Sequence, residues 1–315
     1  MATYKEVHGT NIEVLASDPS NPVEGQIWYD STLNVLKGQA YLAGAWSTSG
    51  SINSARDTLA GSGIQTAGLI FGGQAPNTGE TESFNGSNWT EVNDLNSARN
   101  GLAGNGTQTS SLAYGGEPPP AGTTESWNGT NWTSVNDLNT KRNNLSGAGA
   151  DNTSALAFGS QTSPEVLTES WNGTNWTEVN DLNTGRGYAA GFGIQTAAIF
   201  TGGLPATAIT ESWNGTNWTE VNDLNTGRYH LAAAGISTAG LAFGGAITAD
   251  SALTESWNGT NWTELADLNT ARNGSAGLGT QAAAVCAAGS RTTPAALVSE
   301  KWAEASLVTR TFDDT

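Results

Sequence analysis

Between Arg186 and Trp218 the chain passes through four short segments of different character. Small residues fill Gly187 to Thr196. An apolar run, Ala197 to Phe200, follows and stops at Gly202-Gly203. An unlike segment, Leu204 to Ala208, leads into T-E-S-W, a turn N-G-T-N and a closing W-T-E-V-N. No segment holds apolar residues at a helical spacing. Short segments punctuated by Gly, Asn and Asp predict four strands, A to D. Asn-Gly between two aromatic-bearing segments predicts a hairpin, because both residues tolerate the positive φ that tight turns need.

The pattern recurs along almost the whole chain. The second Trp of each copy is Trp46, Trp89, Trp132, Trp176, Trp218 and Trp262, a step of 42 to 44 residues. An Arg recurs in the same rhythm at Arg56, Arg99, Arg142, Arg186, Arg228 and Arg272. Four antiparallel strands repeated at this period describe the blade of a β-propeller. The sizes agree. Strand A is rich in Gly, Ala and Ser, as in Gly101 to Gly106 and Ala232 to Gly235, which suits inner strands converging on an axis. The bulky Trp171 and Trp176 fall in C and D, where sheets splay apart and large rings fill the gap. Their burial contributes a few kcal/mol each. The Trp residues are therefore read as packing, with exposed sugar-stacking platforms as the alternative.

An Arg opening strand A, a Gly-Gly ending strand B, an aromatic five residues before a Trp, and a Leu-rich link to the next Arg resemble the kelch motif. The resemblance covers about residues 41 to 303. It departs where Gly159-Ser160 replaces the glycine pair, and again at Ala282 to Ser290. Residues 1 to 35 lie outside the repeat. Their phrase N-P-V-E-G-Q-I-W-Y-D-S-T is similar to the N-terminal leaders of virion proteins from tailed, especially marine, bacteriophages. That resemblance implies attachment to a virion or another subunit. Within it, Gln26 to Tyr29, a turn at Asp30 to Asn34, and Val35 to Lys37 predict a small hairpin.

Tyr41 to Trp46 has the aromatic-x4-Trp spacing of strands C and D without an A and B of its own. Arg272 to Trp302 supplies A, B and C but lacks the second Trp. The two fragments complement each other, so the Trp46 strand is expected to complete the last blade beside Trp302. The fold expected is all-β: a six-bladed, kelch-like β-propeller over residues 36–315, closed by an N-terminal strand, behind an attachment segment with a β-hairpin over 1–35. The tail from Ala303 to Thr315 is left open between an added outer strand and a segment leaving the ring.

Charge narrows the partners. The chain of 315 residues has 12 Lys and Arg against 29 Asp and Glu, a net charge of -17. Phosphate backbones need clustered basic residues, so nucleic acid is excluded as a partner. Affinity for anionic membranes is disfavoured too. No apolar run is long enough to insert in a bilayer, and no secretory signal is visible. The single Cys, Cys286, sits in an apolar run and is read as a core residue.

Catalysis is poorly provided for. His8 and His230 are the only histidines and stand in unrelated contexts, with no nucleophile motif near either. Copper chemistry needs more His, Tyr and Cys ligands in one place. The arginines resemble a sialidase cluster only in number, since they recur once per blade. No enzyme, metal or cofactor is expected. Each Arg follows a link such as Asp181-Leu182-Asn183 and has acids at hand such as Glu169 and Glu178. It is read as a fork that pins the blade-to-blade link, with an anion-binding ring as the alternative. The Asn-x-Thr matches at Asn172 and Asn175 are read as turn and strand chemistry rather than glycosylation sites.

The segment between the glycine pair and T-E-S differs from copy to copy while the rest is nearly repeated. Because strand direction alternates, these B–C loops share a face with the D–A links. The candidate ligand-binding residues are Asn77, Glu80, Glu117, Pro119, Gln161, Glu165, Leu204, Thr207, Thr248, Asp250, Arg291 and Thr293. The function expected is that of a virion structural and binding protein: a fibre, tail appendage or capsid-surface protein on the phage particle. Its partners would be other virion subunits through the N-terminal segment, and a host-surface glycan or protein at the loop face, with homo-oligomerisation open. A propeller lectin with glycan sites between blades is the alternative, and a glycan-acting enzyme the next.

Overall fold

A computed structural model of the chain describes residues 12–74, 76–118, 122–163, 165–289 and 297–312. The described residues are all-β, without a helix, and form seven four-stranded sheets. Two compact units are distinguished. One comprises residues 1–45 and 304–315, the other 46–303. The division falls at 45/46 rather than 35/36 because the strand Val35–Leu42 continues past the expected hairpin and pairs along its length with Ser306–Phe312. The C-terminal tail thus joins the smaller unit.

In the smaller unit, Ile27–Asp30 and Val35–Leu42 form an antiparallel hairpin with Asp30 opposite Val35. Glu13–Leu15 adds in parallel beside Ile27–Asp30. Tyr41 to Trp46 has the spacing of strands C and D, but its two halves belong to different sheets. Tyr41 pairs with Leu307 in this sheet, and only the Trp46 strand, Ala45–Thr48, belongs with the repeats. The Val35–Leu42 strand pairs along nearly its whole length with Ser306–Phe312, a longer ladder than a four-residue hairpin partner provides.

The larger unit is built of six repeat sheets, each ordered A-B-C-D. The fourth is typical: Ala190–Ile194, Ala197–Thr201, Thr210–Trp213 and Trp218–Val221, all antiparallel. The sixth consists of Ala276–Gly279, Ala284–Ala287, Ser299–Ala303 and the Ala45–Thr48 strand from far earlier in the chain. The rings of Trp46 and Trp302 lie 5.7 Å apart there. Although Ala282 to Ser290 keeps little of the repeat, Ala288 and Gly289 take the left-handed positions of the glycine pair, with φ of 62° and 89°.

The apolar core lies between sheets. One cluster joins Phe71 of the first sheet to Trp127 and Trp132 of the second. Five others join successive sheets, including Trp46 of the sixth to Phe243 of the fifth, and Leu278 of the sixth to Ile70 and Phe84 of the first. No Trp is more than 6 % exposed. The reading of some Trp residues as sugar platforms is therefore corrected: none offers a ring face to a ligand. Each D-strand Trp donates its indole N–H to the hydroxyl that opens strand C of the preceding sheet. Trp218 donates to Thr168 at 3.0 Å, Trp132 to Thr81 at 3.1 Å, and Trp89 to Ser299 at 3.2 Å. An indole buried at such a seam needs a partner for its one donor. This arrangement of repeated sheets is propeller-like.

Candidate functional site

The link before each repeat sheet is fixed by one buried ion pair. In the fourth sheet, Arg186 Nη1 contacts Glu211 at 2.7 Å. Its remaining donors reach the carbonyls of Gly202, Phe200 and Thr184 at 2.8, 3.1 and 2.8 Å. The other oxygen of Glu211 accepts the backbone and side-chain N–H of Asn183, both at 2.8 Å. The same pair recurs as Arg56–Glu82, Arg99–Glu125, Arg142–Glu169, Arg228–Glu255 and Arg272–Glu300. The six arginines are at most 2 % exposed. Burial pushes Arg142, Arg186 and Arg228 below the usual guanidinium value, and the partner glutamates oppose that shift. An arginine ring that binds a free anion is thereby corrected: each charge is already enclosed and neutralised. The partner is the Glu of T-E-S, whereas the Glu178 position is exposed.

Beyond each Arg the chain turns into strand A through a left-handed residue. Thr58, Gly101, Asn144, Tyr188, His230 and Gly274 have φ between 50° and 63°. Their backbones hydrogen-bond one to the next. Gly101 N donates to Thr58 O at 2.9 Å, Asn144 to Gly101 at 2.7 Å, and Tyr188 to Asn144 at 3.0 Å. His230 donates to Tyr188 at 2.7 Å, Gly274 to His230 at 2.9 Å, and Thr58 to Gly274 at 2.7 Å. The series returns to its first member. It borders a cavity of roughly 140 Å³ lined by these residues and the small residues of strand A that follow them.

Four of the candidate loop residues converge on this rim. Asn77 accepts from Asn100 at 2.6 Å, and Glu117 from Asn143 at 2.7 Å. Gln161 accepts from Asn144 at 2.8 Å and from the Tyr188 hydroxyl. Asp250 accepts from Asn273. Asn77, Glu117 and Asp250 meet the residue just after the Arg of the next sheet, and Gln161 bridges Asn144 of its own sheet and Tyr188 of the next. The other candidates are placed differently. Glu80 lies 3.3 Å from buried Arg56. Thr207 ties its own loop to the next link through its backbone, its amide donating to Gly203 O at 3.1 Å and its carbonyl accepting from Arg228 N at 3.2 Å. Glu165, Leu204 and Thr248 are exposed; of these Leu204 reaches the link only through its backbone, donating to Gly187 O at 3.0 Å. Pro119, Arg291 and Thr293 lie outside the described residues.

Sequence reasoning passed over the rim residues themselves. The two positions after the six arginines read D-T, N-G, N-N, G-Y, Y-H and N-G, the most changeable pair in an otherwise copied run. That contrast was the available signal. Tyr188 and His230 are partly exposed, with ring centroids 4.0 Å apart, and Tyr229 lies 5.6 Å from His230. Among the described residues no three His, Cys, Asp or Glu side chains stand together to hold a metal ion. Cys286 is buried with its thiol 3.4 Å from Ser275 Oγ, and burial raises its pKa. Asn172 is held in its turn by accepting the N–H groups of Thr174 and Asn175 at 3.0 and 2.9 Å, the local bonding expected of a turn Asn. No family model and no curated protein matches the chain.

Proposed function

We propose that the chain is a closed, six-bladed, kelch-like β-propeller and that it serves as a binding protein of a tailed-phage particle. Closure is supported by the backbone series that returns from Gly274 to Thr58 and by the core shared between the sixth and first sheets. The observation that carries the binding role is a division of labour within each repeat. The Arg–Glu pairs and seam Trp residues fix the scaffold alike in every sheet, while side chains vary at the B–C loops and the rim they meet. A rigid scaffold with one diversified loop face is how binding surfaces are commonly built. The setting on a virion, as fibre, tail appendage or capsid-surface protein, rests on the resemblance of the leader. The N-terminal segment is assigned to subunit contacts and the loop face to a host-surface partner.

Electron microscopy of the native assembly tests this reading. Six sheets around one axis, with residues 1–35 embedded in a viral particle and the loop face open to solvent, are expected. A loop face buried against neighbouring subunits, or a chain found in no particle, refutes it.

A further inference from the structure

The left-handed conformation at the rim is imposed by the backbone series, and glycine adopts it without strain. Most other residues there cost about 1–2 kcal/mol, and Asn the least. Gly101 and Gly274 avoid that cost. Three consecutive junctions instead carry Asn144, Tyr188 and His230. Backbone needs account for Asn144, which tolerates this conformation, but not for the Tyr188 ring.

Those side chains form one connected arc. The Tyr188 ring packs against His230, its hydroxyl meets Gln161, and Gln161 also accepts from Asn144. All three left-handed residues line the cavity. At roughly 140 Å³ it is smaller than the ~300–1,000 Å³ of drug-sized pockets, so it suits one small ring and not an extended chain. The hydroxyl, amides and imidazole each include donor and acceptor atoms, which match the dual character of sugar hydroxyls. The aromatic ring offers an apolar face for C–H groups. Charge decides the class of sugar. The repeat arginines are enclosed by glutamates, Glu117 stands beside the arc on Asn143, and the net charge is -17. Sulfated, phosphorylated or acidic sugars meet net negative charge and, among the described residues of the arc, no arginine or lysine side chain, so they are disfavoured.

We infer that the rim across the third to fifth sheets is a single asymmetric subsite for one neutral sugar residue. Tyr188 is its platform, Asn144 and His230 are its polar contacts, and Gln161 holds Asn144 and Tyr188 in place. This rests on the loop face being the binding face. It departs from sugar sites repeated between sheets, since it requires one site per chain.

The test uses the full chain with methyl glucoside, methyl galactoside and methyl N-acetylglucosaminide, by saturation-transfer NMR and calorimetry. Binding of at least one glycoside at one per chain is expected. Tyr188→Gly and His230→Gly relieve the left-handed strain, so each should melt at or above the wild-type temperature while losing at least tenfold in affinity. Tyr188→Phe keeps the platform and should lose less. Absence of binding to all three glycosides, several equivalent sites, or affinity unchanged in both glycine variants overturns the inference. So does loss of affinity only in step with a lowered melting temperature. A peptide seated at the rim instead of a sugar also overturns it and leaves the wider binding face standing, whereas failure of the particle imaging removes that face itself.

Discussion

Glu211→Gln isolates the interaction that ties a link to the sheet it enters. Glu211 has four donors on two oxygens: Arg186 and the Thr184 amide on one, the backbone and side chain of Asn183 on the other. Glutamine has a single acceptor oxygen. Whichever way its amide turns, an NH2 group faces donors, and the Arg186 charge loses its counter-ion at a site only 2 % exposed. Breaking a buried pair from one side costs about 3–5 kcal/mol, because the surviving charge stays buried. At roughly 2–4 °C per kcal/mol for a large domain, even the lower figure lowers the melting temperature by about 6–12 °C. Glu220 supplies the control. It lies directly opposite Glu211 in the strand register and is exposed, so Glu220→Gln should shift melting by less than about 2 °C, in line with a surface substitution of at most ~0.5 kcal/mol. Thermal unfolding followed by circular dichroism reads both. Equal shifts in the two variants would refute the claim that the Arg–Glu pair holds the link.

Four further outcomes follow from the structure. In Gly202→Ala the new Cβ would stand 2.6 Å from Arg228 O with φ at +73°, whereas in Gly173→Ala it meets nothing nearer than 3.3 Å at +89°. Gly202→Ala should therefore cost well over the ~1 kcal/mol of backbone strain expected at Gly173, and equal denaturant midpoints would contradict this. Trp132→Phe removes the indole donor to Thr81 and ring atoms from the seam; a loss of about 1–3 kcal/mol is expected. Because every Trp is buried, acrylamide should quench wild-type fluorescence weakly, and strong quenching would place some rings at the surface. In the smaller unit, the Leu33 amide and Lys37 hold Asp30 below its usual pKa, while Asp18 and Asp30 hold Lys37 above its own. Asp30 stabilises above its unfolded pKa, and that contribution is lost as pH falls through the lowered value. Lys37 stabilises below its unfolded pKa and loses that contribution as pH rises through the raised one. Hydrogen exchange of Ile27–Leu42 should thus show opening free energies flat near neutrality and falling at both extremes; a decline confined to neutral pH would exclude these groups as its cause.

Most of the architecture was written in the local sequence. A period of 42 to 44 residues, small residues in strand A, Asn-Gly turns and paired glycines set strands, hairpins and repeat, because turn chemistry and side-chain size act within a few residues of chain. The leader hairpin was legible for the same reason, although Asp30 belongs to the strand opposite Val35 rather than to the turn. Other features were decided by contacts between distant segments. Nothing local distinguishes Glu169 from Glu178, yet only the first is enclosed with an Arg, since the packing of the link over strand C determines which carboxylate loses water. Tyr41 matched a repeat spacing but pairs with the C-terminal tail, because strand pairing follows available backbone partners across the whole chain. The rim was hidden most completely. Thr58, Gly101, Asn144, Tyr188, His230 and Gly274 share no chemistry, and their common property, a left-handed backbone bonded to the next repeat, arises only when six inner strands are brought side by side.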